Sequence, residues 1–392
     1  MANYKELSDI AYNFHTQNKL NEAEKIYKEL LELSPEDVNI LNLFGLLCIS
    51  KSKFDDAITL LSRALILKNS PYIMSNLAKA YLSKGDISNA VKFLKKAIEI
   101  EPDDDKYYSL GIAYKKINNI EKCIESYQKA LELNPNNYNT CYNLAVVYEE
   151  HKIYNEAIIY AKKCLDIKPN NEEVYALLSG LYEKNSDLSS AVKALEAASK
   201  INPKEYLYFF NLGVLYSRIN NKNKSRDNYL NALKIKPFNV EALVNLSNVL
   251  KKDDPELALE YMLIAYKISP DEKNVLLNLA GLYKDLYQNQ KSMQILDKVL
   301  KSNHSKHEAN SLYAMNYMDT CEYEKALEYY NKALFDCPEN YNYMQGKASA
   351  LKYLGKTDEA QKILEFVHLN NPDDIQCATS LGMIYLFKKE FK

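Results

Sequence analysis

The sequence predicts an all-α fold, an α-solenoid made of repeated helix pairs, and three observations carry this prediction. Similar segments recur every 33 or 34 residues along the 392-residue chain. Small residues occupy two fixed positions of each segment, and a proline stands near the end of most segments. Each segment also contains two apolar patterns of helical period with a break between them, which indicates a helix, a turn and a second helix.

The period is clearest in a short motif that is repeated with small changes. "NLGVLY" at residues 211–216 has counterparts in "NLAKAY" at 76–81 and "NLAVVY" at 143–148. Alignment on this motif gives eleven complete repeats and a twelfth, partial repeat that stops at Lys392. The repeats start at residues 4, 38, 71, 104, 138, 172, 206, 240, 273, 307, 341 and 375. We therefore expect residues 1–392 to form a single continuous solenoid.

Two columns of small residues support close helix packing, because a small side chain lets two backbones approach each other. Positions are counted from the start of each repeat. Position eight is occupied by Ala11, Gly45, Ala78, Gly111, Ala145, Ser179, Gly213, Ser247, Ala280, Ala314, Ala348 and Gly382. Position twenty is occupied by Ala23, Ala57, Ala90, Cys123, Ala157, Ala191, Ser225, Ala258, Ser292, Ala326 and Ala360.

Proline marks the end of the second helix, since it cannot continue a helix and disfavours helical geometry in the residue before it. It stands at position thirty-two in nine of the eleven complete repeats. The seventh repeat shows the helical pattern of the first helix, with Phe209, Leu212, Gly213 and Tyr216 spaced i, i+3, i+4, i+7.

These columns resemble the tetratricopeptide repeat (TPR) family over residues 4–392. The period, the two small positions, the tyrosine near position eleven and the final proline all match that family's pattern. The resemblance implies a right-handed superhelix whose first helices line a concave groove. The family's tryptophan at position four is absent, and Leu41, Tyr107, Tyr175 and Phe209 are among the residues that replace it.

Two repeats depart from the pattern. In the eighth, Asp254 is predicted to cap the second helix and Pro255 to occupy its first position. The ninth ends without a proline, so residues 302–307 form either a soft joint or an ordinary drifted repeat.

Composition and charge exclude several classes of protein. The net charge of −2 provides no general attraction for nucleic acid, so we expect no nucleic-acid partner. No run of about 18 apolar residues is present, which predicts no membrane insertion. The N-terminus lacks the apolar core of a signal peptide, and the seven cysteines are odd in number without a C-x-x-C pair, so we expect a cytoplasmic protein.

Motifs of catalysis and metal binding are also missing, and we expect neither an enzyme nor a cofactor or metal site. No phosphate-binding loop, zinc-protease motif or nucleophile elbow is present. His304 and His307 lie three residues apart but have no nearby cysteine to complete a metal site. Positions that are apolar or small in other repeats hold Cys48, Cys123, Cys141 and Cys164, which are therefore predicted to be core residues. A basic cluster that includes Lys222 and Lys224 is better explained by a solvated outer face than by RNA binding.

An asparagine column provides the candidate binding site. Position six lies nearly opposite the packed stripe of the first helix, on the side of positions two, nine and thirteen. Asparagine is unfavourable inside helices, and with 41 asparagines in the chain little more than one would fall at this position by chance. It occurs there five times, as Asn76, Asn143, Asn211, Asn245 and Asn278.

Such a row of carboxamides could hold the backbone of an extended peptide, because each amide both donates and accepts hydrogen bonds. It resembles in part the asparagine ladder of the O-GlcNAc transferase family. Aromatic residues at position five, Tyr108, Tyr142 and Phe210, would add apolar contacts. The alternative is that the asparagines are solvated or bond to neighbouring helices, and that the aromatic residues serve packing.

We therefore predict a non-enzymatic scaffold that binds peptide or protein segments in its concave groove. The alternative is the substrate-recruiting part of a larger enzyme, such as a glycosyltransferase with its catalytic domain beyond residue 392. The carboxylate clamp that grips Hsp70 or Hsp90 tails needs lysine at position five. No repeat has one, so we predict against that role.

Overall fold

A computed structural model of the chain describes residues 4–301 and 306–390, and these residues form 23 α-helices and no β-strand. Consecutive helices pair as helix-turn-helix hairpins, which confirms the predicted all-α class. The chain divides into two compact units, Met1–Ala194 and Leu195–Lys392, and the division falls inside α12 (Leu188–Ile201). A continuous right-handed superhelix over the whole length stays a prediction.

In the first unit, each hairpin packs against the next one along the chain. Its first helices are α1 (Tyr4–Thr16), α3 (Val38–Ser50), α5 (Pro71–Lys84), α7 (Asp104–Lys116), α9 (Tyr138–Glu150) and α11 (Glu172–Lys184). Its second helices are α2 (Leu20–Leu33), α4 (Phe54–Leu67), α6 (Ile87–Ile100), α8 (Ile120–Leu133) and α10 (Tyr154–Ile167).

The second unit has the same arrangement. Its first helices are α13 (Tyr206–Arg218), α15 (Val240–Leu250), α17 (Lys273–Asp285), α19 (His307–Asp319), α21 (Tyr341–Tyr353) and α23 (Ile375–Glu390). Its second helices are α14 (Lys222–Ile235), α16 (Pro255–Ile268), α18 (Asn289–Lys301), α20 (Tyr323–Asp336) and α22 (Thr357–Asn370). First helices of adjacent hairpins also touch, as α3 touches α5 and α17 touches α19.

Helix ends follow the local chemistry that the sequence indicates. The helix α8 ends at Leu133, two residues before Pro135, and the same spacing recurs at the other repeat prolines. The Asn137 side chain then accepts a hydrogen bond from the Thr140 amide and caps α9. In the eighth repeat Asp254 caps α16 and Pro255 is its first residue, as predicted. Residues 302–305 of the proposed soft joint, with His304, lie outside the described residues.

The small residues of position eight lie under a large side chain from the second helix. A Cβ atom on Gly111 would lie 2.4 Å from the Tyr127 ring, and both residues are buried. Leucine at the same second-helix position occurs with alanine, as Ala78 and Leu94 show in one core cluster, and with glycine, since a Cβ atom on Gly45 would lie 2.6 Å from the Leu61 side chain. The residue at position eight is therefore small because the side chain of the second helix fills the space beside it.

The turn inside most hairpins contains one residue in the left-handed conformation. In the fourth repeat this is Asn118, with φ of 56°, and the next amide donates to the Tyr114 carbonyl. This is the Schellman arrangement that satisfies the last carbonyls of a helix. The residues in this conformation are Asn18, Ser52, Gly85, Asn118, Lys152, Ser186, Asn220, Tyr287, Cys321 and Gly355.

Four cysteines, and two apolar residues of the last helix, lie in the core. Cys48, Cys123, Cys141 and Cys164 are buried, as expected for core positions, and no disulfide forms among the described cysteines. On α23, Leu381 and Ile384 are also buried, in a cluster with α22.

Candidate functional site on the first helices

The five asparagines of position six all lie within first helices, but their side chains have different surroundings. Asn76 is only 2% exposed, and its Nδ2 donates to the Oδ1 of Asn42 at 2.8 Å. Asn42 stands at position five of the preceding repeat, on α3. The Asn76 amide is therefore engaged between two helices, which is the alternative stated for this column.

Asn143 and Asn245 are half-buried and contact tyrosines of the preceding repeat. The Asn143 Nδ2 donates to the Tyr108 hydroxyl at 3.0 Å. Asn245 hydrogen-bonds the hydroxyl of Tyr229, whose pKa is raised to about 12 because the ring is buried. The side-chain amides of Asn143 and Asn245 are therefore partly exposed, and each contacts one tyrosine hydroxyl of the protein.

Asn211 and Asn278 are the more open members of the column. The Asn211 side chain is exposed. Asn278 is half-buried, and its Nδ2 donates to the Asn274 carbonyl of its own helix at 2.7 Å. Its Oδ1 is not the atom used in that bond, so it can still accept one from a ligand.

The three aromatic residues of position five are half-buried, and each packs on another ring. Tyr108 lies 5.8 Å from Tyr127 between ring centroids, and Phe210 lies 6.0 Å from Tyr229. Tyr142 is stacked on Tyr138 at 6.2 Å. The packing role is therefore present in all three, and it leaves part of each ring open to a ligand.

Three pockets of mixed polar and apolar lining open on the same side of the first helices. We call the side that carries positions two, five, six, nine, twelve and thirteen the first-helix face. One pocket of about 380 Å³ in the first unit is lined entirely by these positions, among them Lys79, Asp105, Tyr108, Ser109 and Lys116. The side predicted to bind a ligand thus carries recesses. Two smaller pockets, of about 300 Å³ and 210 Å³, are lined mainly by second helices and the turns between repeats.

The second unit has two such pockets. One, of about 380 Å³, lies between α13 and α15 and includes Asn245 and Asn248. The other, of about 360 Å³, includes Ser311, Gly346 and Ser380 from three successive first helices. Position six contributes a residue to all three pockets.

Two tyrosines at position twenty-four line these pockets, which the sequence did not reveal. Tyr229 and Tyr330 belong to second helices, yet each lines a pocket of the first-helix face. Tyr330 reaches it because Gly346 has no side chain there: a Cβ atom on Gly346 would lie 2.3 Å from the Tyr330 ring. The sequence did contain a signal for Tyr330. The repeat after it has Gly346 at position six, and no other repeat has glycine at that position.

Ion pairs join adjacent repeats along one rim of the first-helix face. Lys115 contacts Glu150 at 3.0 Å, and Lys184 contacts Glu149 at 2.9 Å. In the second unit Lys251 contacts Asp285 at 3.3 Å. All of these residues occupy position twelve or thirteen, so the rim holds charge of both signs.

Catalytic and metal chemistry find no support in the described part of the chain. There, no three His, Cys, Asp or Glu side chains gather in a way that could hold a metal ion. Among the described residues, no helix is both long enough and apolar enough to cross a membrane.

Comparison of the chain with models of known protein families identifies the same repeats. Five family models, each described as "Tetratricopeptide repeat", match residues 9–72, 50–111, 105–137, 126–159 and, for the fifth, 172–205 and 207–239. Together they span more than half of the 392 residues. A search of curated proteins finds no match.

Solved structures with similar helical arrangements have low sequence identity. The MamA protein is 22% identical over 43% of this chain and 92% of its own, with a TM-score of 0.40. Yeast Tom70 is 15% identical over 98% and 96%, with a TM-score of 0.45. A tetratricopeptide repeat protein from Parabacteroides merdae is 16% identical over 63% and 98%, with a TM-score of 0.47.

Proposed function

The chain belongs to the tetratricopeptide repeat superfamily, and we propose that it is a non-enzymatic protein-interaction scaffold whose first-helix face binds an extended polypeptide segment. One observation carries the proposal: three pockets lie on this face, and position six contributes Ser109, Asn245, Gly346 and Ser380 to them. A ligand that crosses several repeats would meet the same helical positions again and again, which suits an extended chain better than a compact molecule.

The chemistry of position six suits a polypeptide backbone. A carboxamide can accept from a peptide N–H and donate to a peptide C=O. Asn211 is exposed, and Asn278 uses only its Nδ2 within the helix. Asn245 lines its pocket. We propose that the ladder consists of these three residues in successive first helices, together with Asn143 in the first unit, whereas Asn76 stabilises the helix contact.

Side-chain recognition would come from the aromatic residues beside the ladder. Tyr108 lines the pocket of the first unit, and Phe210 precedes Asn211. Their rings are half-buried, so the open part of each can receive an apolar side chain without exposing much new surface. The absence of lysine at position five argues against an Hsp70 or Hsp90 tail as the ligand. A cytoplasmic location remains part of this proposal.

The test removes the amides and keeps the fold. In the variant Asn211→Ala, Asn245→Ala, Asn278→Ala we expect loss of bound partners in a pull-down, with an unchanged or higher melting temperature, because alanine favours helices. The matched control is Asn223→Ala, Asn231→Ala, Asn370→Ala, which makes the same changes on second helices.

The control should keep the partners that the first variant loses. A first-helix variant that folds normally and retains every partner would refute the asparagine ladder. Loss in both variants would show that the effect does not belong to this face.

A further inference from the structure

The pocket between α13 and α15 is distinguished by its charge. Its lining includes three lysines, Lys222, Lys251 and Lys252, together with the amides of Asn245 and Asn248, and it includes no acidic residue. The chain as a whole has a net charge of −2, so this pocket is a local departure from the overall balance.

Lys222 is placed where helix stability disfavours it. It is the first residue of α14, at the positive end of the helix dipole, and Lys224 follows in the same turn with no acid there. Seven other second helices carry an acidic residue in their first turn: α2, α4, α8, α10, α16, α20 and α22. The helices α6, α12 and α18 also lack an acid there, so α14 is distinguished by the two lysines of its first turn, which helix stability does not explain.

Two of the three lysines are not neutralised within the protein. Lys251 contacts Asp285 at 3.3 Å. In residues 4–301 and 306–390, no carboxylate lies within 4.0 Å of the Lys222 or Lys252 ammonium group. The next acids along the chain, Asp253 and Asp254, do not line the pocket, and the Asp254 carboxylate caps α16.

We propose that this pocket binds the side-chain carboxylates of an acidic polypeptide segment. The proposal rests on the proposed function, because it assigns a chemical class to the segment that crosses the first-helix face. The ammonium groups supply attraction for an anion, and the neighbouring amides supply hydrogen-bond donors that orient it. A bound carboxylate would offset the repulsion between lysines that share one recess of about 380 Å³.

Nucleic acid fits this pocket less well. Single-stranded nucleic acid is usually held by a basic groove together with exposed aromatic rings on which bases stack. The aromatic ring at this pocket belongs to Tyr229, which is 2% exposed and packed against Phe210. The pocket also differs from the carboxylate clamp of this superfamily, because its lysines occupy positions twelve, thirteen and seventeen and none occupies position five.

The experiment uses the full chain and fluorescence anisotropy at about 0.1 M salt, where screening leaves short-range charge contacts intact. The probes are labelled peptides of equal length in which glycine alternates with glutamate or with glutamine, and a labelled oligouridine. We expect the glutamate peptide to bind more tightly than the glutamine peptide. The variant Lys222→Gln, Lys252→Gln should weaken glutamate-peptide binding roughly five- to tenfold.

The matched control is Lys200→Gln, Lys204→Gln, which removes the same charge from exposed sites outside the pocket and should keep the wild-type affinity. Equal binding of the two peptides, or unchanged affinity in the pocket variant, would refute the anion site. Tighter binding of oligouridine than of the glutamate peptide would also refute it, in favour of nucleic acid.

The two proposals can fail separately. If the pocket variant keeps protein partners that the asparagine variant loses, the first-helix face binds polypeptides and only the anion site is wrong. If no peptide and no partner binds to the wild-type chain, both proposals are wrong.

Discussion

Replacing Gly213 by alanine should destabilise the seventh repeat, although alanine is the better helix former. A Cβ atom on Gly213 would lie 2.6 Å from two atoms of the Tyr229 ring. That ring is 2% exposed and packs on Phe210 with ring centroids 6.0 Å apart. Overpacking of this kind costs about 1–3 kcal/mol, and the gain in helix propensity offsets about 0.8–1 kcal/mol of it. The net loss of stability should be about 0.5–2 kcal/mol.

The sign should reverse when the tyrosine is shortened. In the third repeat Ala78 and Leu94 occupy the same two positions, and both are fully buried. In a Tyr229→Leu background whose leucine packs as Leu94 does, Gly213→Ala should raise local stability by roughly 0.5–1 kcal/mol, the propensity gain alone. Packing as Leu61 does would remove this gain, because that side chain lies 2.6 Å from the place of a Cβ atom on Gly45.

Native-state hydrogen exchange of α13 and α14 is the suitable assay, because a repeat array need not unfold in one step. The double-mutant cycle isolates the contact between the two residues. Gly213→Ala could instead change stability in the same direction in the wild-type and the Tyr229→Leu chains. That result would show that the contact with Tyr229 does not determine which residue is accepted at position eight.

Three further predictions concern the first unit. The Tyr27 hydroxyl is buried without a hydrogen-bond partner, so Tyr27→Phe should raise stability by about 1 kcal/mol in denaturation; a decrease would reveal a partner. Three lysine ammonium groups lower the pKa of Glu24 to about 2, against about 4.3 in an unfolded chain. Its contribution to stability is present above pH ~4.3 and is lost as pH falls towards 2. Glu24→Gln should flatten the pH dependence of the melting temperature in that window, and an unchanged slope would contradict this. Asn76→Leu should cost about 1–3 kcal/mol, because it leaves the Asn42 amide buried and unpaired, whereas replacement of both by leucine should be nearly neutral by the same measurement.

Most of the fold could be predicted because its determinants are local and repeated. Proline two residues beyond a helix end and asparagine at the next cap act within a few residues of the chain, as at Pro135 and Asn137. The first helices begin at Tyr4, Val38 and the later residues at which the aligned motif starts each repeat. Twelve such alignments reinforce one another, so a weak signal in one repeat is corrected by the others.

The surroundings of each candidate binding residue were harder to predict because they depend on pairs of residues in different repeats. The burial of Asn76 is due to Asn42, and the contact of Asn143 is due to Tyr108. A helical wheel places all asparagines of position six on one side but does not show what the preceding repeat presents to them. Lys222 was assigned to a solvated outer face, whereas it lines a pocket together with Lys252 of the next repeat.

The left-handed residue in each hairpin turn has a consequence for how this chain tolerates change. Only Gly85 and Gly355 are glycines among the ten residues in this conformation, and Lys152 and Tyr287 adopt it at a steric cost of about 1–2 kcal/mol. The two flanking helices thus impose the turn on whatever residue is present. Substitutions at these sites should therefore leave the shape of a hairpin unchanged, and protein engineers can place labels or stabilising glycines there. Asn220 is the exception, because it also lines the pocket between α13 and α15.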